Sequence, residues 1–174
     1  MPSPRALTLA DINAASRDDF VAAIGWIFES SPWVAERAWR RRPFASVDDL
    51  HAAMVAEMST AERDEQLALL RAHPDLGTRG RMTAASTSEQ AGAGLAGLEP
   101  GEFERLQSLN ATYRTKFGFP FLFAVKGSTR SDIVAALSGR LASRPDDEFA
   151  EALRQVARIA WFRLQDAVAA SDPA

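Results

Sequence analysis

The residues best placed to do chemistry are one histidine, an acid–amide pair and one arginine. His73 stands in Arg71-Ala72-His73-Pro74-Asp75-Leu76-Gly77, directly after an amphipathic stretch and directly before a proline. A residue that precedes proline is pushed out of the α region. The spacing therefore predicts a helix that ends near His73, with the imidazole in the negative field of the helix C-terminus, which favours its protonated form. The same position also suits a plain capping histidine. Ser86-Thr87-Ser88-Glu89-Gln90 is a polar group within a stretch of small residues. Glu89 and Gln90 side by side can accept from and donate to one polar ligand, while Ser86 and Glu89 equally match the two halves of a capping box. Arg163 falls on the margin of an apolar stripe formed by Phe149, Leu153, Val156 and Ala160. A guanidinium there either snorkels to water or faces an anion in a pocket. One histidine, one carboxylate, one amide and one arginine suit acid–base chemistry on a small anionic substrate.

Helices must position these groups. Ser16 with Asp19 opens a helix whose Phe20, Ile24 and Ile27 share a face and which ends near Glu29-Ser30-Ser31-Pro32. Trp33 to Trp39 reads as a short helix, and Ser46 with Asp49 caps another carrying Leu50, Met54 and Met58. Ser59 with Glu62 reads as the capping box of the helix that leads to His73. Gly77 to Gly94 reads as a loop with a short helix near Ser88 to Ala93. A helix follows from Gly101 to Lys116, stopped by Gly118. Thr129 with Asp132 caps a helix to about Ala142, and Pro145 starts the last, to about Ala169. Between them, Phe117 to Val125 has no helical period and is too apolar for an exposed loop, and no second strand is available to pair with it. It is expected to be a buried extended segment. Its peptide N–H groups must find partners, in turns, in buried water or in a ligand. The expected fold is all-α, a compact single-domain bundle of about seven to nine helices spanning residues 1–174, with a core from about residue 7 to 168.

Composition narrows the class. The chain has 174 residues, 47% hydrophobic and 25% charged, with a net charge of −3 and no cysteine. These values suit a globular protein, with neither a disulfide framework nor a thiolate nucleophile. The charge argues against nucleic acid as a partner, and no apolar run approaches the ~20 residues that span a bilayer. The N-terminal residues lack a signal-peptide core, so a cytoplasmic protein is expected. His51 and His73 lack metal-site spacing, and there is neither a dinucleotide nor a phosphate loop, so neither metal nor cofactor is expected. Arg37, Arg40, Arg41 and Arg42 read as a solvated basic face. Trp161 and Phe162 lie off the core-facing stripe of the last helix, which suggests an interface.

Several separated motifs resemble one family. They are His73-Pro74-Asp75-Leu76-Gly77, Thr83 with Ser86-x-x-Glu89-Gln90, and Leu109-Asn110-x-x-Tyr113-x-x-Lys116-Phe117-Gly118-Phe119-Pro120-Phe121 continuing to Ala124-Val125-Lys126-Gly127. Ser31-Pro32-Trp33-Val34-Ala35, Arg42-Pro43-Phe44 and Arg163-Leu164 complete the set, from about Leu7 to Asp166. Together they resemble the OHCU decarboxylases, which act on 2-oxo-4-hydroxy-4-carboxy-5-ureidoimidazoline, an intermediate between urate and allantoin. The resemblance implies an all-helical, commonly dimeric, cofactor-independent decarboxylase that forms (S)-allantoin. It implies His73 and Glu89 as catalytic residues. Pro74, Ser86, Gln90, Arg163 and the stretch Phe121, Leu122, Phe123, Ala124, Val125 would bind substrate. The alternative is a silent helical module that binds a ureide or a protein. An enzyme of this description keeps its turnover after dialysis against a strong chelator; a loss restored by a divalent ion would contradict the cofactor-free expectation.

Overall fold

The computed structural model describes residues 7–78 and 80–169. Among them are nine α-helices, two single 3₁₀ turns, one isolated bridge and no strand. The fold is all-α, as expected. The chain divides into two compact units, one comprising residues 7–69 and 159–169, the other Leu70–Arg158.

In the first unit the chain forms α1 (Leu9–Ala14), α2 (Arg17–Ile24), α3 (Trp33–Ala38) with a 3₁₀ turn at Trp39–Arg41, and α4 (Val47–Ser59). It also holds most of α5 (Arg63–Ala72) and the C-terminal turns of α9 (Pro145–Ala167). Ser16 and Ser46 cap α2 and α4 by accepting from the N–H groups of Asp19 and Asp49. The predicted faces are buried: Phe20, Ile24 and Ile27 from the α2 region, Leu50, Met54 and Met58 from α4. Each such side chain contributes about 1.5–3 kcal/mol when fully buried. Two expectations are corrected. Ser59 does not cap α5 but ends α4, where helical hydrogen bonding carries on to Thr60, whose N–H donates to the Ala56 carbonyl. The Glu62 N–H turns instead to Glu65 Oε2 at 3.3 Å. Nor does α2 reach Glu29; it ends at Ile24 with Gly25 as its C-cap.

The arginine run is a solvated face, as expected, with Arg40 and Arg41 exposed and Arg37 and Arg42 part-exposed, and it carries ion pairs. Arg37 pairs with Glu65 at 2.6 Å and Arg41 with Glu57 at 2.6 Å. Arg42 lies over the Trp39 ring and donates to the carbonyls of Asn13, Ala15 and Trp39. Asn13 in turn grips both peptide groups of Phe44, at 2.9 and 2.8 Å. Trp161 departs from expectation: it is partly buried, edge-on to His51 at 5.3 Å. The large apolar side chain exposed among the described residues is Trp26, at 44%.

The second unit begins with the end of α5 and continues through α6 (Ala84–Gly92), a 3₁₀ turn at Leu95–Gly97, α7 (Pro100–Phe117), α8 (Arg130–Arg140) and the first part of α9. α7 has a capping box of Glu99 with Glu102, and it ends at Gly118 with φ 80°, a left-handed conformation that favours glycine. From Gly118 to Val125 the chain has neither helix nor strand pairing. Phe119, Phe121, Leu122, Ala124 and Val125 are buried there. Rings gather around Tyr113: Phe117 at 4.6 Å, Phe121 at 5.3 Å and Phe119 at 6.0 Å, with Phe149 edge-on to Phe119. The extended segment is thus a core element, as its composition indicates.

Candidate functional site

His73 sits where the proline rule places it. α5 ends at Ala72, and the His73 N–H makes a final turn to the Leu70 carbonyl at 3.3 Å. The residue is only 6% exposed. The turn that follows is held along one face of α7 by Leu106, Asn110 and Arg114, residues spaced i, i+4, i+8. Arg114 pairs with Asp75 at 2.9 Å, and the buried Asn110 donates to the Leu76 carbonyl at 2.8 Å. Gly77 has φ 72°, and a Cβ on it would lie 2.5 Å from a methyl of Leu106. Glycine is required there for both conformation and space. On the N-terminal side of His73, Arg71 donates through Nε to the Gly118 carbonyl at 2.8 Å.

α6 carries the serine, the acid and the amide. It starts four residues earlier than the spacing around Ser88 suggests, because Thr83 is its N-cap, accepting from the Ser86 N–H at 3.3 Å. Ser86 is therefore not the cap. It lies inside the first turn, buried, while Glu89 is part-exposed and Gln90 buried. Gln90 accepts from the Gly77 N–H at 2.8 Å, and its amide reaches the Asp75 carbonyl at 3.5 Å and Met82 Sδ at 3.4 Å. The structure thus brings Gln90 onto the turn that follows His73. Pro74 lies in that turn, part-exposed.

Side chains satisfy the peptide groups of the extended segment. Arg140 Nη1 donates to the Leu122 carbonyl at 2.6 Å, and Gln155 Oε1 accepts from the Ala124 N–H at 2.9 Å. Gln155 is itself oriented by Glu151, to which its amide donates at 2.7 Å. Desolvation pulls the Glu151 carboxyl upward, but the hydrogen bonds from Gln155 and Arg154 outweigh it and hold the group below its ordinary value. Phe121, Leu122, Ala124 and Val125 are buried, whereas Phe123 is part-exposed. Neither Arg140 nor Gln155 stands out in the sequence. Asn110 leaves a trace, as a polar residue on the α7 face between Leu106 and Tyr113, the same signal that marks Arg163.

Arg163 lies in the first unit and is 4% exposed. Its Nη2 pairs with Glu29 at 2.8 Å, and its Nη1 faces the carbonyls of Trp26 and Ile27 at 3.4 and 3.3 Å. It does not snorkel. Glu29, 2% exposed, was read from the sequence only as part of a helix end. Among the described residues there is no group of three or more histidine, cysteine, aspartate or glutamate side chains arranged to hold a metal, and no helix long and apolar enough to cross a membrane.

An all-helical protein with a buried histidine at a helix end and an apolar extended wall is the class these features define. The OHCU decarboxylase family model matches residues 13–165. The chain is 48% identical over 160 residues to the 2-oxo-4-hydroxy-4-carboxy-5-ureidoimidazoline decarboxylase of Halalkalicoccus jeotgali, covering 92% of this chain and 91% of that one. It is 50% identical over 160 residues to the enzyme of the same name from Haloferax volcanii, covering 92% and 95%. Among solved structures, a crystal structure of (S)-allantoin synthase superposes with a TM-score of 0.77 at 34% identity, over 95% of this chain and 56% of that chain. The chain belongs to the OHCU decarboxylase family.

The buried pairing of Arg163 yields a prediction. Lysine keeps the charge but cannot reach Glu29 and two carbonyls together. Arg163→Lys is expected to lower the unfolding free energy by about 1–3 kcal/mol, read from urea denaturation. An unchanged midpoint would mean that the pairing contributes nothing to the fold.

Proposed function

We propose that this protein decarboxylates 2-oxo-4-hydroxy-4-carboxy-5-ureidoimidazoline to (S)-allantoin in urate degradation. The observation that carries the reading is near-full-length similarity to proteins of that name in both directions. The chemistry fits the residues. Loss of carbon dioxide from C4 sends its bonding pair toward the neighbouring ring C=N, so the substrate supplies its own electron sink. The ring nitrogen that receives the pair takes up one proton, a second arrives at the adjacent carbon from one side, setting the configuration, and loss of the hydroxyl proton leaves a carbonyl at C4. The protein must orient the carboxylate, stabilise developing charge and move protons on one face.

In this reading His73 is the general acid/base, and Glu89 orients or charges it. Pro74, Ser86, Gln90 and the peptide groups from Phe121 to Val125 receive the ring and ureido group. The resemblance alone brings Arg163 into the binding set. Burial supports the choice of polar residues: His73, Ser86, Gln90 and Arg163 are all less than one-tenth exposed, where water no longer competes with a ligand. We take the enzyme to be a homodimer, supported by the resemblance, and cytoplasmic, supported by the sequence expectation alone. Trp161 no longer argues for the dimer, and sedimentation at micromolar concentration showing only a monomer would count against it.

The test generates the substrate in situ from urate and follows circular dichroism. The protein should speed its decay and yield one enantiomer of allantoin; racemic product at the spontaneous rate would defeat the assignment. His73→Gln should cut turnover by roughly 10²–10⁴-fold in a folded protein. Retention of more than about a tenth of wild-type turnover would reduce His73 to a capping residue.

A further inference from the structure

The Arg140–Glu148 pair joins a part-buried arginine to a buried carboxylate and has no part in the chemistry just described. Side-chain exposure is 15% for Arg140 and 1% for Glu148. Glu148, in the first turn of α9, receives Arg140 Nε at 2.7 Å and also the Tyr113 hydroxyl. Arg140 Nη2 lies 2.5 Å from the same carboxylate oxygen but makes no aligned hydrogen bond, so that contact is one of charge. Burial first, and the Glu148 carboxylate second, push the Tyr113 phenol well above its ordinary value, so it remains a donor. The arginine is thereby fixed over the Phe121 ring, 4.6 Å from its centroid, with Nη1 on the Leu122 carbonyl.

A trans peptide unit is planar, with its C=O and N–H pointing in opposite directions. The Leu122 carbonyl and the Phe123 N–H belong to one such unit, the Phe123 carbonyl and the Ala124 N–H to the next. Arg140 holds the first unit by its carbonyl, and Gln155 holds the second by its N–H. The Phe123 N–H is therefore turned away from Arg140, and the Phe123 carbonyl away from Gln155. Among the described residues neither Phe123 group has a hydrogen-bond partner. Phe123 is also the part-exposed residue of an otherwise buried stretch.

We propose that Arg140, Glu148 and Gln155 are positioning residues that aim the Phe123 donor and acceptor at the amide-like edge of a cyclic ureide. The proposal rests on the decarboxylase reading for the identity of the ligand. Glu148 acts through Arg140, which grips the Leu122 carbonyl with a planar fork that lysine lacks.

The test compares wild type with Arg140→Lys and Gln155→Met. Each variant should raise KM for the substrate, and Kd for (S)-allantoin by calorimetry, about tenfold, equivalent to ~1.4 kcal/mol. The kcat should stay within about threefold, because these contacts serve binding before and during reaction alike. Amide exchange should accelerate at residues 121–125 and not across the whole second unit. A buried charge left alone can prevent folding, so Arg140→Met with Glu148→Met and Tyr113→Phe serves as the second variant. It removes the cluster as a unit and should fold while showing the same rise in KM. Wild-type KM and local exchange in these variants, or a uniform rise in exchange with unchanged KM, would overturn the proposal. A wild-type protein without effect on the substrate would defeat the decarboxylase reading instead; the exchange at Ala124, whose N–H is held by Gln155, would still decide the positioning.

Discussion

The laying of the Asp75–Gly77 turn along one face of α7 is the constraint on which the histidine's setting depends. An imidazole at a helix end is free to fray with the last turn unless the chain beyond it is fixed. Here three successive residues are fixed by three different forces. Arg114 provides charge for Asp75, Asn110 a buried hydrogen bond for the Leu76 carbonyl, and Leu106 a close steric contact for Gly77. Gln90 adds a fourth from α6, and Arg71 ties the helix side of the same histidine to Gly118. The general acid/base role proposed for His73 requires a proton carrier held within a hydrogen-bond length of its target, and this clamp fixes the chain on both sides of the histidine without using the imidazole.

The helices were largely legible because their signals are local. Ser16, Ser46 and Thr129 are read correctly as caps since each needs only its own neighbour three residues on, and Gly118 stops α7 for a reason written in one residue. The misreadings arise where two local signals compete. Ser59 matches a cap but is overtaken by α4, and Thr83 outcompetes Ser86 because it lies one turn earlier on the same chain. The positions of His73 and the buried segment could be read from proline and composition. Their partners could not. Arg140, Gln155 and Glu29 meet their targets at separations of 18, 31 and 134 residues, and no periodicity carries that information. Arg163 shows the limit well. Its departure from the apolar pattern is visible, but the choice between water and a buried acid is made by Glu29.

Both units set an arginine against a buried glutamate, and the energetics of such pairs explain what they are for. Desolvation of two charges cancels much of their attraction, so a buried pair adds little net stability over an apolar replacement. What it does supply is direction. Arg163 is held to Glu29 and two carbonyls, Arg140 to Glu148 and one, and in each case a guanidinium is locked to backbone that apolar packing alone would leave able to slide. The aromatic cluster around Tyr113 shows the division of labour: the rings fill space, and the hydroxyl on Glu148 fixes the orientation.

The first unit is discontinuous, and this has a consequence for how the chain matures. Leu7 bridges to Val168, and Ala160 and Leu164 are buried in the part of α9 that belongs with residues near the N-terminus. Domains generally fold as they leave the ribosome, N-terminal part first. Here the order of completion is inverted: the continuous stretch Leu70–Arg158 has all its own residues in hand before the earlier-made helices acquire theirs. Until the final turns of α9 emerge, Phe20, Ile24 and Met54 belong to a core still missing a wall, and that nascent interval is when this chain most needs shelter from aggregation.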